Sequence, residues 1–324
     1  MEQKENRTLI VDGYNLFARN YVTNPALLPT GEPIGGCVGF LKSLQKLCRE
    51  TRPNIIIIAW DGSGGAKRRR QANKNYKEGR KPLKLNRNVE QNLSLDEEKM
   101  NRHFQWGHLI EYLNDFPVVQ ILIENVEADD IIAEVARLPV LSEMIKIIVS
   151  SDQDFLQLCS NKVVVHQPIK KKTLTESRVV EEHSIHPNNF AIARAIVGDK
   201  SDNLDGVRGA GLKTLAKRIP ELIEDKSFTL KQLFEKCNKE KDGQYKIFSD
   251  ILLEKQKVEE NYKIMQLYSP NISLSSKRHI RLSIEEFKPS FNQTSFVKNT
   301  IKDGFSDLNW SDLTLCFKRI VSEA

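Results

Sequence analysis

The chain has 324 residues, with 49 Lys or Arg against 43 Asp or Glu, a formal net charge of +6 that is too mild to identify a nucleic-acid partner by itself. Its five cysteines (Cys37, Cys48, Cys159, Cys237, Cys316) are scattered and form no CxxC pair, which argues against a disulfide framework and a thiolate zinc site. No apolar run approaches the roughly 20 residues of a membrane span, and MEQKENRTLIVDG lacks a secretory apolar core. The expectation is a soluble protein of a reducing interior, the cytoplasm of a bacterial or phage-infected cell.

The first half alternates short apolar runs with helix-like stretches. The runs are Thr8 to Val11, Asn54 to Trp60, Val118 to Ile123, Ile145 to Val149 and Val163 to Val165. They are rich in Ile and Val with little polar alternation, as strands buried on both faces are. Amphipathic segments such as Val38 to Cys48 and Asp129 to Arg137 lie between them. This βαβα order predicts an α/β fold, a mostly parallel central sheet flanked by helices.

Between Lys67 and Arg87 stand ten Lys or Arg and one acid, Glu78, the least core-like part of the chain. From about Ile185 helices dominate, interrupted by a glycine-rich turn at Gly206 to Gly211. Phe228 to Cys237 and Gln244 to Tyr268 read as helices, Ile272 to Leu282 as short strands, and Phe296 to Val321 as helical again. The expected division is residues 1–184 as an α/β domain and 185–324 as a smaller helical domain, with an extension from about 270.

The carboxylates are the informative feature. Asp12 ends the first strand and Asp61 the second. Glu127, Asp129 and Asp130 follow the third, and Asp152 and Asp154 the fourth. In a parallel sheet these ends share one edge, where ligand sites form. Asp199 and Asp202 add an i, i+3 pair on one helical turn. Acids packed this densely repel one another unless cations intervene. Oxygen-only ligands suit Mg²⁺, with Mn²⁺ as a substitute, and two ions about 4 Å apart suit phosphodiester hydrolysis. A single Asp after a strand is often a helix cap, but coincidence at four strand ends is a poor account of the group. The glycine run misses the phosphate-loop template because Leu212 separates Gly211 from Lys213. His183 and His186 lack the context of a metal pair and read as surface or capping residues.

The ordered segments VDGYNL (11–16), WDG (60–62), EADD (127–130), SDQD (151–154), GDKSDN (198–203) and GVRGAGLKT (206–214) resemble the 5′-nuclease superfamily of flap endonucleases, phage ribonuclease H enzymes and polymerase 5′-nuclease domains. The similarity covers about residues 7–220, and the chain looks most like a self-standing phage ribonuclease H-type member. The resemblance implies that Asp12, Asp61, Glu127, Asp129 and Asp152 surround a first metal, and Asp130, Asp154, Asp199 and Asp202 a second. It places a basic arch at about 66–102. There Lys77 and Arg80 would contact the scissile phosphate, Tyr76 would stack on a terminal base, and Arg68, Arg69 and Lys81 would add nucleic-acid contacts. It places a helix–three-turn–helix at about 192–220, with Gly209, Gly211, Lys213, Thr214 and Lys217 on duplex phosphates and K⁺ in the loop. Cations neutralise phosphates and rings stack on unpaired bases, so these residue types fit those roles.

The expected function is metal-dependent hydrolysis near the 5′ end of DNA or RNA in flaps, nicks, recessed ends and RNA–DNA hybrids, for primer removal in replication. The protein would act as a monomer, with a single-stranded DNA-binding protein as a partner for the tail. Residues 81–100 hold too few apolar side chains for a packed helix pair and are expected to order only on a single-stranded arm. Two alternatives remain open: a PIN-type endoribonuclease and a non-catalytic structure-specific DNA-binding protein.

Overall fold

Six strands build the central sheet of the computed structural model, which describes residues 5–86, 88–89, 93–270, 272–305 and 308–324. In chain order the first half contains β1 (Arg7–Asp12), α1 (Gly13–Thr23), α2 (Gly35–Thr51), β2 (Ile55–Trp60), α3 (Lys67–Ala72), α4 (Leu95–Asn114), β3 (Val119–Leu122), α5 (Ala128–Val135), β4 (Ile145–Val149), β5 (Val163–Gln167) and β6 (Lys172–Leu174). The spatial order is β3-β2-β1-β4-β5-β6, parallel throughout except for β6 against β5. β1 sits centrally, pairing Ile10 with Ile57 on one side and Ile148 on the other.

Strand pleating sorts side chains between two cores. Ile10, Ile57, Ile121 and Ile148 face α5 and the helices beyond it. Leu9, Val11, Ile56 and Ile58 face α1, α2 and α4. Full burial of such a side chain contributes roughly 1.5–3 kcal/mol, so this double-sided sheet is a rigid platform for its C-terminal edge.

The second half contains α6 (Glu176–His183), α7 (Pro187–Val197), a two-strand ladder of β7 (Gly198–Asp199) and β8 (Leu204–Asp205), then α8 (Leu212–Arg218), α9 (Leu230–Glu240), α10 (Ile247–Leu253), α11 (Lys255–Met265), α12 (Leu274–Glu285), α13 (Gln293–Lys302) and α14 (Ser311–Glu323). Gly198 permits the reversal into the ladder. Its φ is +79°, and a Cβ there would lie 2.4 Å from Gly206 N.

Two expectations are corrected. Residues 272–282 are not strands. Ser273 caps α12 by accepting from Ser276 N, and Ile280 and Ile284 bury one helical face at i, i+4 spacing. The described residues of segment 81–100, which leave out 87 and 90–92, are also better anchored than its composition suggests. Leu85 and Val89 bury in the same core as Leu9, and Asn86 Nδ2 donates to Val22 O at 3.0 Å. Ser94 and Glu97 form a capping box that starts α4 at Leu95. Arg87 lies outside the described residues. The tail folds onto the α/β half: Phe296, Phe305, Leu313 and Phe317 bury in the cluster that holds Val11.

Candidate active site

The sheet's C-terminal edge opens into a cleft of about 900 Å³. Asp12, Asp61, Asp129 and Asp152 line it together with Lys77, Arg80 and Lys81. β1 delivers Asp12, whose Oδ1 caps α1 by accepting from Asn15 N (3.1 Å) and whose Oδ2 accepts from Ser150 Oγ (2.9 Å). Asp61 accepts from Ala128 N at 2.9 Å, tying the loop after β2 to the start of α5. Asp152 accepts from Asp154 N at 2.8 Å. Asp12 therefore both caps α1 and lines the cleft: the bond that caps the helix also holds the carboxylate there.

Behind this front row the remaining acids are paired with cations. Glu127 meets Arg69, and also Lys77 Nζ at 2.5 Å. Asp130 receives Arg69 through two hydrogen bonds of 2.9 and 3.1 Å. Asp154 receives Arg194 Nε at 3.0 Å, and Asp199 receives the same guanidinium through Nη2. Asp202 pairs with Arg80.

Burial and neighbouring charges move several of these carboxyls in opposite directions. Burial, then Asp61, pushes Asp12 up to about 7, and burial, then Asp152, pushes Asp154 to about 7. Burial, then Asp152, raises Asp129 well above the ordinary range. Asp152 is raised by burial and by Asp202, against the Asp154 N–H that lowers it. Burial also acts on Glu127, but Arg69 and Lys77 outweigh it and hold that carboxyl low. Asp199 is likewise held low, because Ser201 and Arg194 overcome burial.

Among the described residues, no Lys or Arg lies within ion-pair distance of Asp12, Asp61, Asp129 or Asp152. Their charge calls for protons or an added cation, and an oxygen-only donor set fits a hard divalent ion. The fit is weaker for the second group, whose acids already face Arg69, Arg80 and Arg194.

This sets a pH dependence for the metal-free protein. A carboxyl raised from 3.8 to about 7 costs nothing where both folded and unfolded states are protonated. The cost grows as pH climbs from about 4 and is complete above about 7. Lowered groups such as Glu127 have given their full stabilisation by about pH 5, on the ordinary carboxylate scale. Tm without metal is therefore expected to fall between pH 5 and 8, and added Mg²⁺ to raise it most at pH 8. A Tm that is flat or rising across that window would contradict the electrostatics described here.

Two sequence-based assignments change on structural grounds. Tyr76 is 2% exposed and packs with Leu204, Ile264 and Met265, so its ring is not presented to a terminal base. The turn responsible has Lys77 at φ +58°, with Lys77 N donating to Asp202 O at 2.9 Å. Arg69 is not a surface contact for nucleic acid. Its side chain is 11% exposed, and Nε donates to Ile264 O at 3.0 Å. Arg68 is exposed and lines a separate cleft of about 800 Å³ with Lys263 and Lys277.

Arg194 is the residue that sequence reasoning missed. Its signal was a lone cation in the apolar run AIARAIV of α7, five residues before Asp199. In the loop after α7, Gly209 has φ +78° with open space around it, and Lys213, Thr214 and Lys217 are exposed on α8.

One triad of possible metal-ligand atoms lies within 4.8 Å among the described residues, and it stands elsewhere: Glu176, His186 and Asp225. His186 Nδ1 accepts from Asn188 N (3.2 Å), so the neutral ring carries its proton on Nε2, facing Glu176 at 3.1 Å. That arrangement is a clasp between α6 and α7, in line with a capping histidine. No described helix is long and apolar enough to cross a membrane.

The sheet gathers carboxylates and the cations Lys77, Arg80 and Lys81 at its C-terminal edge, where parallel α/β folds bind their ligands. The chain belongs to the family described as 5′-3′ exonuclease, N-terminal resolvase-like domain, whose model matches residues 7–184. It is 31% identical over 214 residues to a 5′-3′ exonuclease of Buchnera aphidicola, covering 65% of this chain and 69% of that protein. It is 30% identical over 220 residues to the thermostable DNA polymerase I of Thermus thermophilus, covering 68% of this chain. The chain spans only 24% of that polymerase's length. The fold matches T5 D15 protein co-crystallized with metal ions at a TM-score of 0.63 and 19% identity, covering 96% of this chain and all of the other. Human GEN1 in complex with Holliday junction DNA matches at a TM-score of 0.57 and 10% identity, covering 98% of this chain and 72% of the other.

Proposed function

We propose that the chain is a structure-specific 5′-nuclease that hydrolyses phosphodiester bonds near the 5′ end of DNA or RNA in flaps, nicks, recessed ends and RNA–DNA hybrids. Primer removal in replication is the role this activity serves. The observation that carries the reading is the cleft in which Asp12, Asp61, Asp129 and Asp152, with no Lys or Arg in ion-pair contact among the described residues, share a lining with Lys77, Arg80 and Lys81. Relatives named 5′-3′ exonuclease support it.

Asp12, Asp61, Asp129 and Asp152, with Glu127 beside them, would hold divalent ions of the Mg²⁺ type. Bound there, such ions supply water activation and charge stabilisation at the transferring phosphate. Asp130, assigned to the second metal from the sequence, is held instead by Arg69 through two hydrogen bonds, so Asp154, Asp199 and Asp202 would complete a second site once Arg194 and Arg80 turn from them to substrate phosphates. Lys77 and Arg80 orient the scissile phosphate by charge-assisted hydrogen bonds. Gly209, Gly211, Lys213, Thr214 and Lys217 would grip duplex phosphates, with K⁺ among the loop carbonyls, and residues 185–324, including the extension from about 270, would form the duplex-binding unit. The protein would act as a monomer, with a single-stranded DNA-binding protein as an accessory partner.

Labelled flap DNA, nicked duplex and single-stranded RNA, each with Mg²⁺, Ca²⁺ or chelator, test this reading. Mg²⁺-dependent cleavage confined to substrates with a 5′ end at a junction is expected. Cleavage of single-stranded RNA alone would instead identify a PIN-type endoribonuclease, and binding without cleavage a non-catalytic protein.

A second test separates the basic regions. Lys77→Ala is expected to lower the single-turnover rate far more than duplex affinity. Lys213→Ala is expected to weaken duplex binding and to reduce the salt slope by about one, as loss of one phosphate contact does. Indistinguishable profiles would contradict the division of labour.

A further inference from the structure

We infer that the aromatic pocket beside the cleft, walled by Tyr14, Arg102, His103 and Trp106, holds one unpaired nucleobase of the single-stranded 5′ arm. The inference rests on the nuclease reading above and specifies where that substrate's arm goes.

The pocket has a volume of about 320 Å³ and shares Tyr14, Asp61 and Arg102 with the acidic cleft. A nucleotide whose phosphate reaches the acids can therefore place its base here. Tyr14 stands two residues after Asp12 at the start of α1, so the strand that positions the carboxylate also positions the ring. It is 36% exposed, unlike the buried Tyr76, and leaves a face for stacking.

Trp106 comes from the opposite side, on α4. Its ring meets Trp60 edge-on, with centroids 6.0 Å apart at 77°. Trp60 spends its indole N–H on Gln120 Oε1 at 3.1 Å. The Trp106 N–H is enclosed and has no hydrogen-bond partner among the described residues. A buried indole donor without an acceptor is costly, and native structures keep few of them. Enclosed as it is, the N–H stays out of a base's reach, and Trp106 contributes ring surface to the pocket wall.

His103 adds a flat ring. Its Nδ1 donates to Lys99 O at 2.7 Å, which leaves Nε2 as an acceptor for a base amino group. Lys77, Arg80 and Lys81 line the cleft but not this pocket. Its chemistry thus suits a planar base rather than a phosphate, with Arg102 available to stack or to bridge to the backbone.

The test places 2-aminopurine at each flap position near the junction in turn, in Ca²⁺ to allow binding without cleavage. One position is expected to be quenched in the wild type and to recover in Tyr14→Leu. With intact flaps, Tyr14→Leu is expected to weaken binding about tenfold, the scale of one lost base stack, and with an abasic nucleotide at that position less than about twofold. Trp106→Leu is a second, more buried probe, used only if its Tm shows that it folds; Tyr14→Leu at the pocket rim decides the matter by itself. Equal losses on intact and abasic flaps, or quenching unchanged by Tyr14→Leu, would overturn the inference. Flap cleavage in Mg²⁺ with no quenched position would overturn it alone. Failure of the folded wild type to bind flap DNA at all would overturn the nuclease reading along with it.

Discussion

Asp152→Asn is expected to lower the single-turnover rate of flap cleavage by roughly 10²–10³, with flap affinity in Ca²⁺ largely unchanged. Asp152 lines the cleft, no described Lys or Arg pairs with it, and its charge raises both Asp129 and Asp154. On the proposed reading, amide in place of carboxylate removes a metal donor at the reaction centre but no contact to the duplex. It also removes one member of a group of mutually repelling buried acids. The metal-free variant should therefore be more heat-stable than the wild type at pH 8 and respond less to Mg²⁺. Near-wild-type rates in saturating Mg²⁺ would remove Asp152 from the site. Asp202→Asn tests the rear group in the same assay, since Asp202 anchors Arg80.

Arg69→Met is expected to cost about 3–5 kcal/mol of folding stability, the penalty for leaving buried carboxylates without their cation. Arg69 spans Glu127 and Asp130 and also ties α3 to Ile264 O at the end of α11. Lys77 would remain beside Glu127, but Asp130 has no other ion-pair partner among the described residues. Urea denaturation checks this directly. A change under 1 kcal/mol, accompanied by weaker DNA binding, would return Arg69 to the surface-contact role its sequence neighbours suggested.

That contrast shows what the sequence could and could not reveal. Buried parallel strands are runs of Ile and Val, so β1, β2 and β4 could be read from composition, and the acids at their ends followed from the shared polarity of the strands. Inside the basic stretch the same reasoning had no purchase. A run of cations reads as a solvated face, yet Arg69 turns inward while Arg68 stays exposed. Which one is buried depends on the position of α11, nearly 200 residues later. Tyr76 failed for a related reason: its ring direction follows from the left-handed turn at Lys77, which no local residue type signalled. At the start of α12 the apolar Ile272 and Leu274 imitated a strand, and the Ser273 cap and the i, i+4 pair Ile280 and Ile284 were the stronger signal. Arg194 needed the fold, because its partners Asp154 and Asp199 flank it only once α7 packs under the loop after β4.

The most direct test of the account is a single-turnover product-length assay on a 5′-labelled flap substrate in Mg²⁺, with the wild type and Asp152→Asn side by side. The account requires short labelled products cut near the flap junction or stepwise from the 5′ end, absent with chelator and nearly absent in the variant. Wild-type products scattered along single-stranded regions without reference to the 5′ end, or equal cleavage by the two proteins, would contradict it.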